Sequence, residues 1–151
     1  MKSNLKFAII GCGRIAQRHA EHISNLAELV AVCDINENSA DETGNKFNSK
    51  IFYNIDELLS ANLDLDVISI CSPNGLHAEH ALMALEADKH VVVEKPFTNT
   101  LEEAAELVAL SKSTGKICSV FHNRRYVADF LTMKKIIDDG LLGEPREFFA
   151  H

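Results

Sequence analysis

The stretch "AIIGCGRIA", residues 8–16, decides the fold. Its apolar start closes a strand reading "LKFAII" over 5–10, and a helical pattern begins at Arg14, with Ile15, Ala16, His19, Ile23 and Leu26 at helical spacing. Between the two stand Gly11, Gly13 and Ala16, a GxGxxA pattern. Gly11 permits the tight turn. Gly13 has no side chain, so a pyrophosphate can approach the backbone, and Ala16 is small enough for close helix–strand packing. The helix N-terminus then offers free N–H groups, those of Arg14 and Ile15 among them, and the positive end of its dipole.

A glycine loop alone is weak, but this one has its strand before it, its helix after it and an acidic residue at the right distance. The second strand, "ELVAVC" over 28–33, ends at Asp34. That carboxylate can accept hydrogen bonds from the adenosine ribose hydroxyls, and it repels a 2′-phosphate. Ile35, Asn36, Glu37 and Asn38 bring no cation to offset the repulsion. NAD is therefore the expected cofactor, with NADP as the alternative, and Ile35 is grouped with Asp34 on the cofactor side. An ordinary glycine-rich turn between strand and helix is the competing reading.

Working outward, short apolar runs alternate with longer periodic stretches. Strands are expected at 50–53, 66–71, 90–93 and 116–121, and helices at 37–47, 56–61, 76–87 and 101–113, the last capped by Thr98 or Thr100 and followed by Gly115. On the helix over 76–87, Leu76, His80, Met83 and Ala84 recur along one side. Strands apolar on both sides, each followed by a helix, mean a parallel sheet covered on both faces. The fold class is α/β, a doubly wound parallel sheet. A further helix is expected over 126–139, closed by Gly140, and "REFFAH" over 146–151 reads as the start of another strand with nothing to cover it. The expected organisation is a dinucleotide-binding domain over 1–122, then a connecting helix and the first strand of an incomplete second α/β domain over 123–151.

The 151 residues are 46% apolar and 25% charged, the composition of a globular protein. A net charge of −7 argues against wide phosphate-backbone contact, so nucleic acid is not an expected partner. No apolar run is long enough to span a bilayer, and no secretory signal precedes the first strand; no membrane partner and a cytoplasmic location are expected. Cys12, Cys33, Cys71 and Cys118 lie far apart without CxxC spacing, which favours reduced thiols over a zinc or redox motif. His77 and His80, like His19 and His22, lack further ligands at short range, so no metal is expected.

Two more stretches carry chemistry. "CSPNGLH" over 71–77 ends a strand at Pro73, which cannot donate to the ladder. In a doubly wound sheet the carboxyl ends of strands line the ligand crevice, which places Ser72 and Asn74 where a ligand can be held. Asn74 reads equally as a helix cap. "VVVEKPF" over 91–97 sets Glu94 and Lys95 at the end of the most apolar strand, where a surface turn is the bland reading.

Taken together, "AIIGCGRIA", "VCDI", "SICSPNGLHAEHALMALEADKHVVVEKP" and "LLGEP" resemble the glucose–fructose oxidoreductase, inositol dehydrogenase and rhizopine-catabolism family, Gfo/Idh/MocA. The resemblance covers essentially the whole chain. The EKP after an apolar strand, with "PNGLHAEHA" some twenty residues earlier, is its specific part. It implies an N-terminal Rossmann domain, an NAD or NADP cofactor, and hydride transfer to or from a carbon of a sugar, an inositol-like polyol or a nucleotide sugar.

By position, the resemblance makes Lys95 the lysine that contacts the nicotinamide ribose and the reacting hydroxyl and assists proton transfer. It sets Glu94 against the ribose, and Ser72, Asn74, His77 and Asn123 on the nicotinamide side. It also suggests a cis bond before Pro96. A lysine near a positive nicotinamide and partly desolvated has its charged form disfavoured, which suits it to this role. Arg124 and Arg125 contact an anionic substrate or pack at the domain junction. The family's usual catalytic Asp and His belong to the C-terminal domain, beyond these residues, as does the sheet through which relatives associate as homo-oligomers. A UDP-N-acetyl-hexosamine 3-dehydrogenase and a non-catalytic NAD-binding regulatory module are the rival readings.

Overall fold

The computed structural model describes residues 3–149. They form two compact units, divided between Phe121 and His122. In the first unit the described residues build a six-stranded, all-parallel sheet: β1 (Lys6–Ile10), β2 (Glu28–Cys33), β3 (Lys50–Phe52), β4 (Val67–Ile70), β5 (His90–Val93) and β6 (Cys118–Val120). Their order across the sheet is β3-β2-β1-β4-β5-β6. The direction of winding reverses between β1 and β4, which opens a crevice there.

The helices are α1 (Arg14–Leu26), α2 (Glu37–Phe47), α3 (Ile55–Ser60), α4 (His77–Glu86) and α5 (Leu101–Thr114). Alternation along β1 separates two cores. Ala8 and Ile10 join Ile68, Ile70, Val91 and Val93 under α3, α4 and α5, through Leu58, Ala81, Leu85 and Leu107. Ile9 faces the other way and joins Val32 under α1, through Ala16, Ala20 and Ile23. The doubly wound α/β sheet expected from the sequence is thus present, with Ala78 and Ala84 small enough to let α4 sit close.

Several local readings are corrected. On α4 the buried side is His77, Ala78, Ala81, Ala84 and Leu85, not the side through Leu76, His80 and Met83. The small alanines pack there, and Leu76 belongs to a preceding 3-10 turn, Asn74–Leu76, and is exposed. Leu26 at the end of α1 is also exposed. Thr100, not Thr98, caps α5: its hydroxyl accepts the Glu103 N–H while the Glu103 carboxylate accepts the Thr100 N–H.

The second unit holds a 3-10 turn, Asn123–Tyr126, and α6 (Ala128–Asp138), with Gly140 in the left-handed region just beyond. Residues 146–149 form no strand, contrary to expectation, and residues 150–151 of that stretch lie outside the described residues. A strand exists by pairing, and Phe148 and Phe149 find no partner strand here and stay exposed. Within this unit Arg124 pairs with Asp129 at 3.5 Å.

Candidate cofactor-binding site

Register builds the site. Ile10 pairs with Cys33 and Ile70, Cys33 with Phe52, Ile70 with Val93, and Val93 with Val120, so the last residues of all six strands form one row. Whatever follows each strand emerges along one edge: Gly11, Asp34, Ser72 and Glu94 among them. The ladder even runs one step further, with Gly11 N donating to Cys33 O at 2.8 Å, Cys71 N to Ile10 O at 2.7 Å and Glu94 N to Ile70 O at 3.0 Å.

At this edge lies a cleft of about 520 Å³, bounded by Gly11, Gly13, Asp34, Ile35, Ser72 and Pro73. A second cleft of about 460 Å³ is bounded by Arg18, Asn74, His77, Glu94 and Lys95. Arg14, Ile15 and Ser72 line both, so the two are ends of one crevice at the reversal point.

Each sequence-predicted residue of the first unit is found on this crevice or directly behind it. Gly11 has φ +91°, and a Cβ there would stand 2.5 Å from Ser72 N and 2.6 Å from Cys71 C. The turn and the close approach of the β4 end both require glycine. A Cβ at Gly13 would meet nothing within 4 Å, which leaves the backbone open to a ligand. Ala16 is fully buried and closes the helix onto the sheet. Gly13 supplies α1 with no side-chain cap, so the first turn keeps N–H groups for an anion.

Asp34 does more than the sequence suggests. Its Oδ2 accepts the Cys12 N–H at 2.7 Å and its Oδ1 the Asn36 N–H at 2.8 Å. It ties the glycine loop to the end of β2 and still has acceptor capacity for hydroxyls, since each carboxylate oxygen takes two donors. Ile35 is exposed at the rim.

At the other end, Asn74 opens a 3-10 turn whose cap residue is Pro73, and α4 is not capped by a side chain either, so the cap reading of Asn74 is replaced by a place on the cleft. Ser72 is buried and its hydroxyl lies 3.0 Å from His80 Nδ1. Burial, its largest influence, favours neutral His80 by holding its pKa below the usual value. His77 is buried with Nδ1 2.7 Å from Pro96 O and Nε2 2.8 Å from Ser72 O, so its ring ties the strand-end loops together and presents no free nitrogen to the crevice. Lys95 is exposed at the rim of the second cleft, and the bond from Lys95 to Pro96 is cis. Asn123 belongs to the second unit.

Glu94 is buried, 5% exposed, and its partner is one the sequence reading passed over: His19 on α1, also 5% exposed, with Nε2 3.0 Å from Glu94 Oε1. A signal was there. His19 falls on the apolar stripe of α1 beside Ala16 and Ile23, and a buried polar group needs a partner. Among the described residues no group of three or more His, Cys, Asp or Glu side chains could hold a metal ion, and no helix is long and apolar enough to cross a membrane.

A reversal-point crevice with an uncapped helix end, an open glycine and a carboxylate after β2 defines a nucleotide-binding Rossmann domain. The profile of the oxidoreductase family with an NAD-binding Rossmann fold, GFO_IDH_MocA, matches residues 5–122, and the chain belongs to this family. It is 37% identical over 145 residues to the D-glucoside 3-dehydrogenase of Escherichia coli K12, covering 94% of this chain and 41% of that protein. Among solved structures it is similar to the myo-inositol 2-dehydrogenase of Lactobacillus plantarum, with a TM-score of 0.86 and 31% identity, covering 94% of this chain and 43% of that one. It is also similar to the WlbA dehydrogenase of Bordetella pertussis in complex with NADH and UDP-GlcNAcA, with a TM-score of 0.84 and 28% identity, covering 94% of this chain and 45% of that one. The chain therefore spans less than half the length of these relatives.

Proposed function

We propose that the full-length protein is a dehydrogenase of hydroxyl-bearing carbons in a sugar, an inositol-like polyol or a nucleotide sugar, and that these residues are its NAD-binding part. The observation that carries the reading is the crevice itself: phosphate-binding features at one end and the exposed Lys95 at the other, joined through Arg14, Ile15 and Ser72. When bound, NAD supplies the hydride acceptor at its nicotinamide carbon.

The chain's own residues bind and orient. Main-chain groups of Gly11, Gly13, Arg14, Ile15 and Ala16 hold the pyrophosphate, and Asp34 beside Ile35 holds the adenosine ribose. Ser72, Asn74, His77 and Glu94 shape the nicotinamide side. Lys95 accepts or returns the proton of the reacting hydroxyl. Asp34 favours NAD over NADP by repelling a 2′-phosphate.

NADH and NADPH titrations followed by nicotinamide fluorescence test the cofactor half: NADH is expected to bind at least ~10-fold more tightly, a difference of about 1.4 kcal/mol. NADPH binding as tightly as NADH would overturn that preference. Turnover is tested by nicotinamide reduction in the full-length protein across D-glucosides, inositols and UDP-sugars. Lys95→Ala is expected to lower kcat by ~100-fold or more, the usual contribution of a positioned acid–base group. A protein that binds NADH yet reduces NAD with none of these is instead a regulatory module. Light scattering of the full-length protein tests the expected homo-oligomer.

A further inference from the structure

His19 stands outside the glycine loop, and no step of the proposed reaction uses it. Its ring is nonetheless fully engaged. Nδ1 lies 2.8 Å from Ser69 Oγ in β4, and Nε2 lies 3.0 Å from Glu94 Oε1 just beyond β5. The ring leans on Phe121, with centroids 4.4 Å apart. The other oxygen of Glu94, Oε2, accepts the Lys95 main-chain N–H at 3.0 Å. Hydrogen bonds thus run from Ser69 through His19 and Glu94 to the backbone of Lys95.

Serine, histidine and glutamate in line have the composition of a nucleophilic triad, but Ser69 is 1% exposed within its strand and cannot meet a substrate. The order is inverted: serine is innermost and the carboxylate faces the crevice. A buried carboxylate is costly unless N–H groups meet it. Here one oxygen is met by His19 and the other by Lys95 N–H, so the carboxylate has one orientation. The Glu94 carboxylate can only accept, so Nε2 is the nitrogen that donates there, while the Ser69 hydroxyl, able to donate or accept, meets Nδ1 and holds the ring from its other side.

We propose that His19 is a positioning residue: held by Ser69, it orients Glu94, and through Glu94 it fixes the main chain of Lys95 at the nicotinamide end of the crevice. The proposal rests on the reading that Lys95 handles the proton of the reacting hydroxyl.

Asn and Gln separate the two ring nitrogens. Asn matches the reach of Nδ1, toward Ser69; Gln matches the reach of Nε2, toward Glu94. In the full-length protein, His19→Asn is expected to raise hydrogen exchange of the peptide spanning residues 91–97 by ~10-fold, the scale set by losing one buried hydrogen bond to a charged group. It is also expected to lower kcat by ~10-fold on whichever D-glucoside, inositol or UDP-sugar is turned over, with KM shifted less. His19→Gln should recover most of both. Equal effects of the two variants, or parental exchange in His19→Asn, would overturn the proposal. Should His19→Asn fail to fold, Ser69→Ala cuts the same line one step earlier, and unchanged exchange over 91–97 in that variant counts equally against it. Lys95→Ala run in parallel keeps the two ideas apart. Turnover surviving Lys95→Ala sinks the catalytic reading of Lys95, while the exchange result still decides whether His19 positions its main chain.

Discussion

Two glycines two positions apart do opposite jobs. At Gly11 a methyl group meets backbone at 2.5 Å and a positive φ besides, so neither can give way cheaply. At Gly13 it meets nothing within 4 Å. Gly11→Ala is therefore expected to lower unfolding free energy by more than ~2 kcal/mol, a strain-class effect. Gly13→Ala should stay within ~1 kcal/mol of the parent, the range of cap substitutions, yet lose NADH affinity. Urea midpoints and fluorescence titration separate the two, and matching stability losses would contradict the assignment. At this scale the sequence was legible where chemistry is local: the GxGxxA spacing, Asp34 after the second strand, and Glu94-Lys95-Pro96 at a strand end. It was illegible where a side chain's role lies in its partner. His77 bounds the crevice as read, but nothing in the sequence signals that its two nitrogens stand 2.7 Å from Pro96 O and 2.8 Å from Ser72 O.

Among the elements, the observed bounds of β2, α1, α2 and β5 are those expected from the sequence, because period and capping are properties of a few consecutive residues. Which side of a helix is buried was harder. α4 packs its alanines, and hydrophobicity alone favours Leu76 and Met83. Close packing also explains Gly44 in α2, where a Cβ would stand 2.2 Å from Ile51 Cγ1, 2.7 Å from Ile51 Cδ1 and 3.3 Å from Val32 Cγ2. Gly44→Ala is expected to cost about 1–3 kcal/mol by overpacking, despite alanine's better helix propensity. A stability gain in chemical denaturation would show that Ile51 repacks freely.

Across the whole molecule, burial acts on the four thiols together. It pushes Cys12 and Cys118 up to about 11 and Cys33 and Cys71 to about 12, with Asp34 adding to the effect at Cys12. The folded state holds these protons more tightly than the unfolded chain, whose thiols titrate near 9.0. Stability from this source is complete below pH 9.0 and is lost as pH rises through about 11 to 12. Urea midpoints should therefore fall between pH 8 and pH 10.5, and fall less in Cys71→Ala; a flat profile would contradict the burial of these groups.

The sequence by itself determined the alternation of strands and helices, the glycine loop, the carboxylate after β2 and the EKP turn, since each is written in neighbouring residues. Only the tertiary structure decided that six strand ends share one row and that His19 meets Glu94. Those two residues are 75 positions apart, on a helix covering one face and at the end of a strand. Their meeting depends on strand order and register, which arise from packing the whole sheet and leave no mark in any local pattern.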